Sequence, residues 1–267
     1  MRALVHDAAD ADGVWPLSEH ARLGIDDPDW THLRALLPDG SIAGYAQLDA
    51  DATAELVVRP ANRRRGVGRR LLDAVLAASA ARIWAHGDHP GAAALAAATG
   101  LRRVRGLLKL ARPLTEPVPE PRIPAEIQVR TFRPGADDDA WLALNATAFA
   151  DHPEQGRWTE RDLAQRMAEP WFDPAGFFLA TRNDRLVGYH WTKIEANAGE
   201  IYVLGVDPAE QGGGLGKALA LIGMRHLRDR GLDRVELYVE ESNRAALRLY
   251  TGLGFEQVSI DVQYAPE

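Results

Sequence analysis

Cysteine is absent from this 267-residue chain. A disulfide framework, a thiolate metal site and a cysteine nucleophile are therefore all excluded. Long apolar runs are also missing. The best stretch, Leu71 to Ala85, is broken by Asp73 and Arg82, so nothing reads as a membrane span. Met1 to Asp12 is acidic and has no apolar centre, so it does not read as a secretory signal. The expectation is a cytoplasmic monomer with no membrane partner. Excess positive charge is lacking too. Net charge is −7, and residues 113–267 hold 16 basic against 25 acidic side chains. A nucleic-acid footprint is not expected. What is present is 46% apolar and 26% charged residues, the balance of a folded globular protein. The length suits one large α/β domain or two domains of about 130 residues.

The chain repeats itself. Val58-Arg-Pro-Ala-Asn-Arg-Arg-Arg-Gly66-Val-Gly68-Arg-Arg-Leu71 overlays Val206-Asp-Pro-Ala-Glu-Gln-Gly-Gly-Gly214-Leu-Gly216-Lys-Ala-Leu219 at an offset of 148. Thr99-Gly-Leu101 overlays Thr251-Gly-Leu253 at an offset of 152. Between the copies, residues 113–124 hold five prolines, which suit neither helix nor central strand. The predicted organisation is a first domain at 1–112, a Pro-rich linker at 113–126 and a second domain at 127–267. Each copy reads as strand, glycine turn, helix, strand, short helix and closing strand. That is an α/β or α+β unit with a mixed sheet. The second copy opens on a strand, Ile127 to Phe132, and the first has no counterpart to it.

The turn Gln211-Gly-Gly-Gly-Leu-Gly-Lys217 stands between a strand and a helix. Glycines allow consecutive backbone N–H groups to converge, and the helix start adds its positive dipole end. The turn suits a pyrophosphate. It lacks Walker spacing, since Ala218 follows Lys217, and no acidic residue stands where a dinucleotide fingerprint needs one. Two copies in one register are far more specific than one glycine turn.

The frame V-x-P-x-x-Q/R-x-x-G-x-G resembles the acyl-CoA loop of the GNAT N-acetyltransferase family. Asn243-Arg-Ala-Ala-Leu-Arg-Leu-Tyr250-Thr-Gly-Leu-Gly-Phe255 resembles that family's second signature, N-x-x-A-x-x-x-Y-x-x-x-G-F. The resemblance implies two tandem GNAT-like acyltransferase domains, acetyl-CoA as co-substrate and no metal. For the second copy it places acetyl-CoA on Leu204, Gly205, Val206, Gln211, Gly212, Gly213, Gly214, Leu215, Gly216, Lys217, Asn243, Arg244, Ala245, Ala246, Leu247 and Arg248. For the first it places a CoA on Leu56, Val57, Val58, Arg64, Arg65, Gly66, Val67, Gly68 and Arg69. Those arginines read equally as a solvated charge run at a helix start.

A closer likeness spans nearly the whole chain. It rests on the segments around His152 to Gly156, Trp171 to Pro174, His190 to Lys193 and Gly199 to Val206. It points to tandem members that acetylate the cysteinyl amine of cysteinyl-glucosaminyl-inositol, a small-molecule acceptor. It places that acceptor on Glu19, Glu154, Lys193, Glu200 and Tyr238.

Acetyl transfer to an amine must remove a proton from the ammonium and can return one to the leaving thiolate. The resemblance assigns these roles to Glu200, acting through water, and Tyr250. A phenol near 10 protonates a thiolate near 8.5 with little driving force, so Tyr250 donates either a proton or only a hydrogen bond. Strict alternation puts Glu200, Tyr202 and Leu204 on one strand face. At the same offsets the first copy has Ala52, Ala98 and Gly91 for Glu200, Tyr250 and Asn243, so it binds without transferring. His152, His190 and the tryptophans read as core or loop packing. The alternatives are a tandem GNAT acting on another amine and a CoA-sensing protein without turnover.

Overall fold

The computed structural model describes residues 1–152, 154–195 and 197–266. The chain divides into two compact units. The first comprises 1–109, 239–244 and 257–267, and the second 110–238 and 245–256.

The first unit opens on helices α1 (Arg2–Asp12) and α2 (Glu19–Leu23). Antiparallel strands β1 (Thr31–Leu36), β2 (Ile42–Leu48) and β3 (Thr53–Val58) follow. Helix α3 (Val67–Ala77) leads to β4 (Arg82–Ala85), which lies parallel to β3. Helix α4 (Pro90–Ala98) and β5 (Arg102–Pro113) complete the first repeat. Leu71, Leu72 and Val75 of α3 pack on Ala46, Ala54 and Ile83 of the sheet. Leu4, Val5 and Ala8 of α1 cover Tyr45 and Val57 on the other face.

The second unit has antiparallel β6 (Ile127–Thr131), β7 (Phe177–Arg182), β8 (Arg185–Glu195) and β9 (Ala198–Val206). Strand β10 (Arg234–Glu240) runs parallel to β9. Helices α5 (Asp138–Ala148) and α6 (Glu160–Met167) precede β7, α7 (Leu215–Asp229) joins β9 to β10, and α8 (Arg244–Thr251) follows β10. One face carries an aromatic core of Trp141, Trp171, Phe177, Tyr189 and Trp191. The other packs Leu215 and Leu219 of α7 on Ala180 and Val187. A strand corresponding to β6 has no counterpart among the described residues of the first unit, whose sheet ends at β1.

Two features depart from a cut of the sequence at the proline-rich segment. The last strand, β11 (Glu256–Ala265), belongs to the first unit for most of its length. There it pairs antiparallel with β4, Val262 opposite Ala85 and Tyr264 opposite Ile83. Residues 110–113 of β5 in turn belong to the second unit, where the Leu114 N–H donates to Asp233 O at 2.7 Å. Each short parallel sheet needs a closing edge, and backbone bonding accepts any strand that supplies one. The proline-rich segment itself is packed down. Leu114 and Val118 are buried, and Arg225 of α7 donates to Val118 O and pairs with Glu120 at 2.8 Å.

Candidate active site

The second unit's glycine turn enters α7 through Gly214, which caps the helix at φ 86° and offers no side-chain cap to the first-turn N–H groups. Residues 211–214 are exposed, and so is Lys217. An uncapped helix start with its donors facing solvent is a site for an anion. An added Cβ at Gly214 would meet no protein atom within 4 Å, so the constraint there is the left-handed backbone itself. Gly205 is required for a different reason: a Cβ there would lie 2.6–2.8 Å from the Tyr189 ring.

Pairing between β9 and β10 covers only Gly199–Ile201 against Val235–Leu237. Leu204, Gly205 and Val206 lie past the last pair, on a strand edge that β10 does not meet. Register with β8 also slips here. Trp191 stands opposite Val203 and Thr192 opposite Ile201, so Tyr202 is the extra residue of a β-bulge. The bulge overturns strict alternation. Tyr202 and Val203 both face the aromatic core, whereas Leu204 packs on the α7 side. Glu200 is the cross-strand partner of Lys193, whose ammonium lies over Trp171 and Tyr202 at 4.8 and 5.6 Å. Opposed residues share a face, so Glu200 stands on the aromatic side, away from α7 and from Leu204.

Lys193 is 4% exposed and its Nζ is 2.9 Å from Glu195 Oε2. It is a buried counter-charge held by two ring faces and a carboxylate, rather than an exposed cation. Arg166 of α6, which the sequence did not single out, is a second one. It is buried 3.8 Å over Trp158 and donates to the Tyr202 hydroxyl at 2.8 Å. Tyr238 of β10 is 42% exposed. Glu154 is exposed on a loop that the buried Asn145 anchors by donating to Gln155 O at 2.6 Å. Tyr189 donates to the same asparagine at 2.6 Å, tying the loop to β8. Glu19 lies in the first unit, at the first turn of α2 behind the N-cap Ser18.

Tyr250 is 7% exposed, its ring edge-on to Phe255. Burial pushes its phenol well above the ordinary tyrosine range, so it stays protonated at any working pH. Ala245 to Arg248 share its helix and its unit, while Asn243 and Arg244 fall in the 239–244 segment of the first unit. His152 Nδ1 accepts two backbone N–H groups of its own loop. Burial lowers the His190 pKa to about 4, and the neutral ring donates from Nδ1 to Leu219 O at 2.7 Å. Both histidines and the tryptophans are packing groups. Among the described residues no three His, Asp or Glu side chains converge as metal ligands.

The first unit repeats the construction. Its β3–β4 pairing stops at Glu55–Trp84, beyond which Leu56, Val57 and Val58 line a cavity of about 520 Å³ with Arg64 and Gly68. Gly66 caps α3 at φ 78° without a side-chain cap. Arg65, Gly66, Val67 and Arg69 do not line the cavity; Val67 is core and Arg69 pairs with Asp73 along its helix. At the cavity wall, His86 lies between Glu55 at 3.0 Å and Asp261 at 2.9 Å. The Ser18 N–H and hydroxyl each donate to Glu55 at 2.7 Å, and the Gly87 N–H donates to Asp261 at 2.8 Å.

Two splayed parallel strand pairs, each joined by an uncapped glycine-led helix, match a known architecture. The Acetyltransferase (GNAT) family matches residues 4–100 and 141–255. The chain belongs to this family. Its relatives include proteins named mycothiol acetyltransferase from Thermomonospora curvata and Streptomyces coelicolor. The first is 56% identical over 98% of this chain and 91% of the relative, the second 52% over 99% and 90%. Among solved structures, a GCN5-related N-acetyltransferase from Sphaerobacter thermophilus superposes with a TM-score of 0.72. It is 27% identical and covers 98% of this chain and 90% of its own. A tandem GNAT protein of the clavulanic acid biosynthesis pathway, 21% identical, shares the fold with a TM-score of 0.68 over 89% of this chain and 83% of its own. GNAT acetyltransferases use acetyl-CoA, and the exposed cradle and open strand edge of each unit suit its pyrophosphate and pantetheine. No helix among the described residues is long and apolar enough to cross a membrane.

Proposed function

We propose that the chain transfers acetyl from acetyl-CoA to the cysteinyl amine of cysteinyl-glucosaminyl-inositol, forming mycothiol. The names of relatives about half identical over nearly the whole chain support the acceptor. The observation in the structure that carries the reaction is the position of Glu200. It is paired with Glu236 of β10, one residue before the last β9–β10 pair at Ile201, after which β9 runs on to the open edge at Leu204–Val206.

The second unit is the catalyst in this reading. Cradle N–H groups at Gly212–Lys217 hold the anionic end of acetyl-CoA. The edge at Leu204–Val206 pairs with pantetheine amides as an added strand would. Glu200 takes the ammonium proton through water. The freed amine attacks the thioester carbonyl, and a backbone N–H of the open edge donates to the developing oxyanion. Collapse expels the thiolate, to which Tyr250 donates a hydrogen bond, and the second proton of the attacking nitrogen passes to that thiolate or to solvent. The raised pKa of Tyr250 makes full proton transfer to a thiol near 8.5 unfavourable. Lys193 and Arg166 stiffen the aromatic floor below the acceptor. Glu154 and Tyr238 meet its hydroxyls. Transfer is direct, in a ternary complex, and most of the rate comes from positioning. The first unit binds a CoA without turning it over.

The test is acetyl-CoA consumption with cysteinyl-glucosaminyl-inositol, against cysteine and glucosamine alone. Turnover with the pseudo-disaccharide at far higher kcat/KM supports the reading. Equal turnover with an unrelated amine would replace the acceptor.

A further inference from the structure

Asn145 stands in the C-terminal half of α5, on its buried face with Trp141 and Leu144. An apolar residue would suit that position, and a buried amide is tolerated only with its bonds made. The bonds of this one lead out of the helix. The Tyr189 hydroxyl of β8 donates to Asn145 Oδ1 at 2.6 Å, and Gln155 Nε2 donates to the same oxygen at 3.1 Å. Asn145 Nδ2 in turn donates to Gln155 O at 2.6 Å. Gln155 is thus gripped by main chain and side chain together, and Tyr189 ties that grip to the strand beside β9.

Glu154, the residue before, is held by its backbone. Its N–H donates to His152 Nδ1 at 3.2 Å, and its C=O accepts the Arg157 N–H at 3.0 Å. Gly156 packs so near the end of α5 that a Cβ there would lie 2.3 Å from Phe149 O. Glu154 itself is exposed. An exposed carboxylate on a backbone fixed from both sides meets a ligand with little ordering left to do.

We propose that Asn145 is a positioning residue for the acceptor, acting through Gln155 to hold Glu154 where the acceptor's hydroxyls meet it. The assignment rests on the acceptor reading. It adds to that reading a residue that no signature motif contains and that is buried out of reach of either substrate.

Acceptor and acetyl-CoA KM values are measured for Asn145→Ala, Glu154→Ala and the double variant, with thermal melting as the folding check. Asn145→Ala is expected to raise the acceptor KM about three- to tenfold, the cost of ordering a loosened side chain at each binding event. The KM for acetyl-CoA stays within about twofold. Glu154→Ala raises the acceptor KM at least as far. Adding Asn145→Ala to it costs nothing more, because the two changes remove one contact. A general loosening of the unit would instead add to the Glu154 effect and raise both KM values. Gln155→Ala cuts only the half-buried side-chain arm and repeats the pattern more weakly. It takes the place of Asn145→Ala in the cycle if that variant does not fold. An unchanged acceptor KM in Asn145→Ala, or multiplying losses in the double variant, overturns the assignment. So does a wild-type acceptor KM in Glu154→Ala, which leaves acetyl transfer itself standing. Failure of the wild type to acetylate the pseudo-disaccharide is a separate outcome, and it overturns the acceptor reading together with this assignment.

Discussion

Raising the pH should loosen the first unit before the second, because of one buried ring. Burial on its own disfavours the His86 cation, but Glu55 and Asp261 outweigh it and raise the pKa to about 10. In the unfolded chain the ordinary value is about 6.5. The folded form thus binds the proton more tightly. The resulting stability is complete below pH 6.5 and is lost as pH climbs toward 10. A gap of roughly three units at about 1.4 kcal/mol each gives a contribution of order 3–5 kcal/mol. The cluster also joins α2, β3, the end of β4 and β11, through Ser18, Glu55, His86 and Asp261, so its loss opens the unit as a whole. Other charges near it on the cavity wall are Asp12, Arg63 and His89. Asp12 is bound bidentate by Arg63, which holds its carboxyl below the usual range, so it does not titrate in this window. Hydrogen exchange of β3 and β4 amides reads the first unit alone. Protection corrected for intrinsic rate should fall between pH 7 and 10, while β7 and β8 hold theirs. In the Glu55→Gln/Asp261→Asn double variant the pH slope should flatten. An equal slope in wild type and double variant would refute the argument.

Glu200→Gln should lower kcat by about 10²–10⁴ with melting unchanged, the usual cost of a lost general base; a near wild-type rate across pH would remove the assignment. Tyr250→Phe should cost far less, of order tenfold, because a phenol with so high a pKa offers a hydrogen bond and not a proton. Gly214→Val should abolish transfer, since it forces a β-branched residue to φ 86° in the cradle, at about 1–3 kcal/mol of strain. Gly66→Val should carry the same strain at φ 78° and leave transfer largely intact. Transfer lost at Gly66 and kept at Gly214, in folded proteins, would move catalysis to the first unit.

Local patterns carried much of this architecture. Glycine turns, flanking strands and apolar helix faces are short-range, and β9, β10 and α7 lie where the repeat places them. Partnerships set at long range did not show. His86 and Asp261 are 175 residues apart, and nothing near either marks it as half of an ion pair. The exchange of closing strands is a choice among equivalent backbone edges, on which side-chain pattern is silent. Alternation misplaced Leu204 because a bulge adds one residue to the period, and only the register with β8 reveals it. The burial of Lys193 depends on Trp171 arriving from another segment. A signal for the packed linker was present in Leu114 and Val118, apolar residues among the prolines.

The offset that aligns the glycine turns places Ala52 opposite Glu200, which suggests that the first copy lost its base by substitution. The geometry says that more than a side chain is missing. Ala52 sits at φ 58°, in the turn before β3, whereas Glu200 lies inside β9. Its carbonyl accepts the N–H groups of Ala81 and Arg82, so the turn is bound to the start of β4. A glutamate there would stand outside the strand, and a non-glycine left-handed residue cannot be rotated inward without breaking those bonds. The nearest carboxylate on β3 is Glu55, and it already accepts from Ser18 twice and from His86. Using it as a base would break the ion pair that holds the unit together. Ala52→Glu in a Glu200→Gln background should therefore restore no transfer. Acetyl transfer recovering to even one-tenth of wild type, with Gly214→Val added to disable the second cradle, would show that the first cleft needs only a carboxylate and would refute this account.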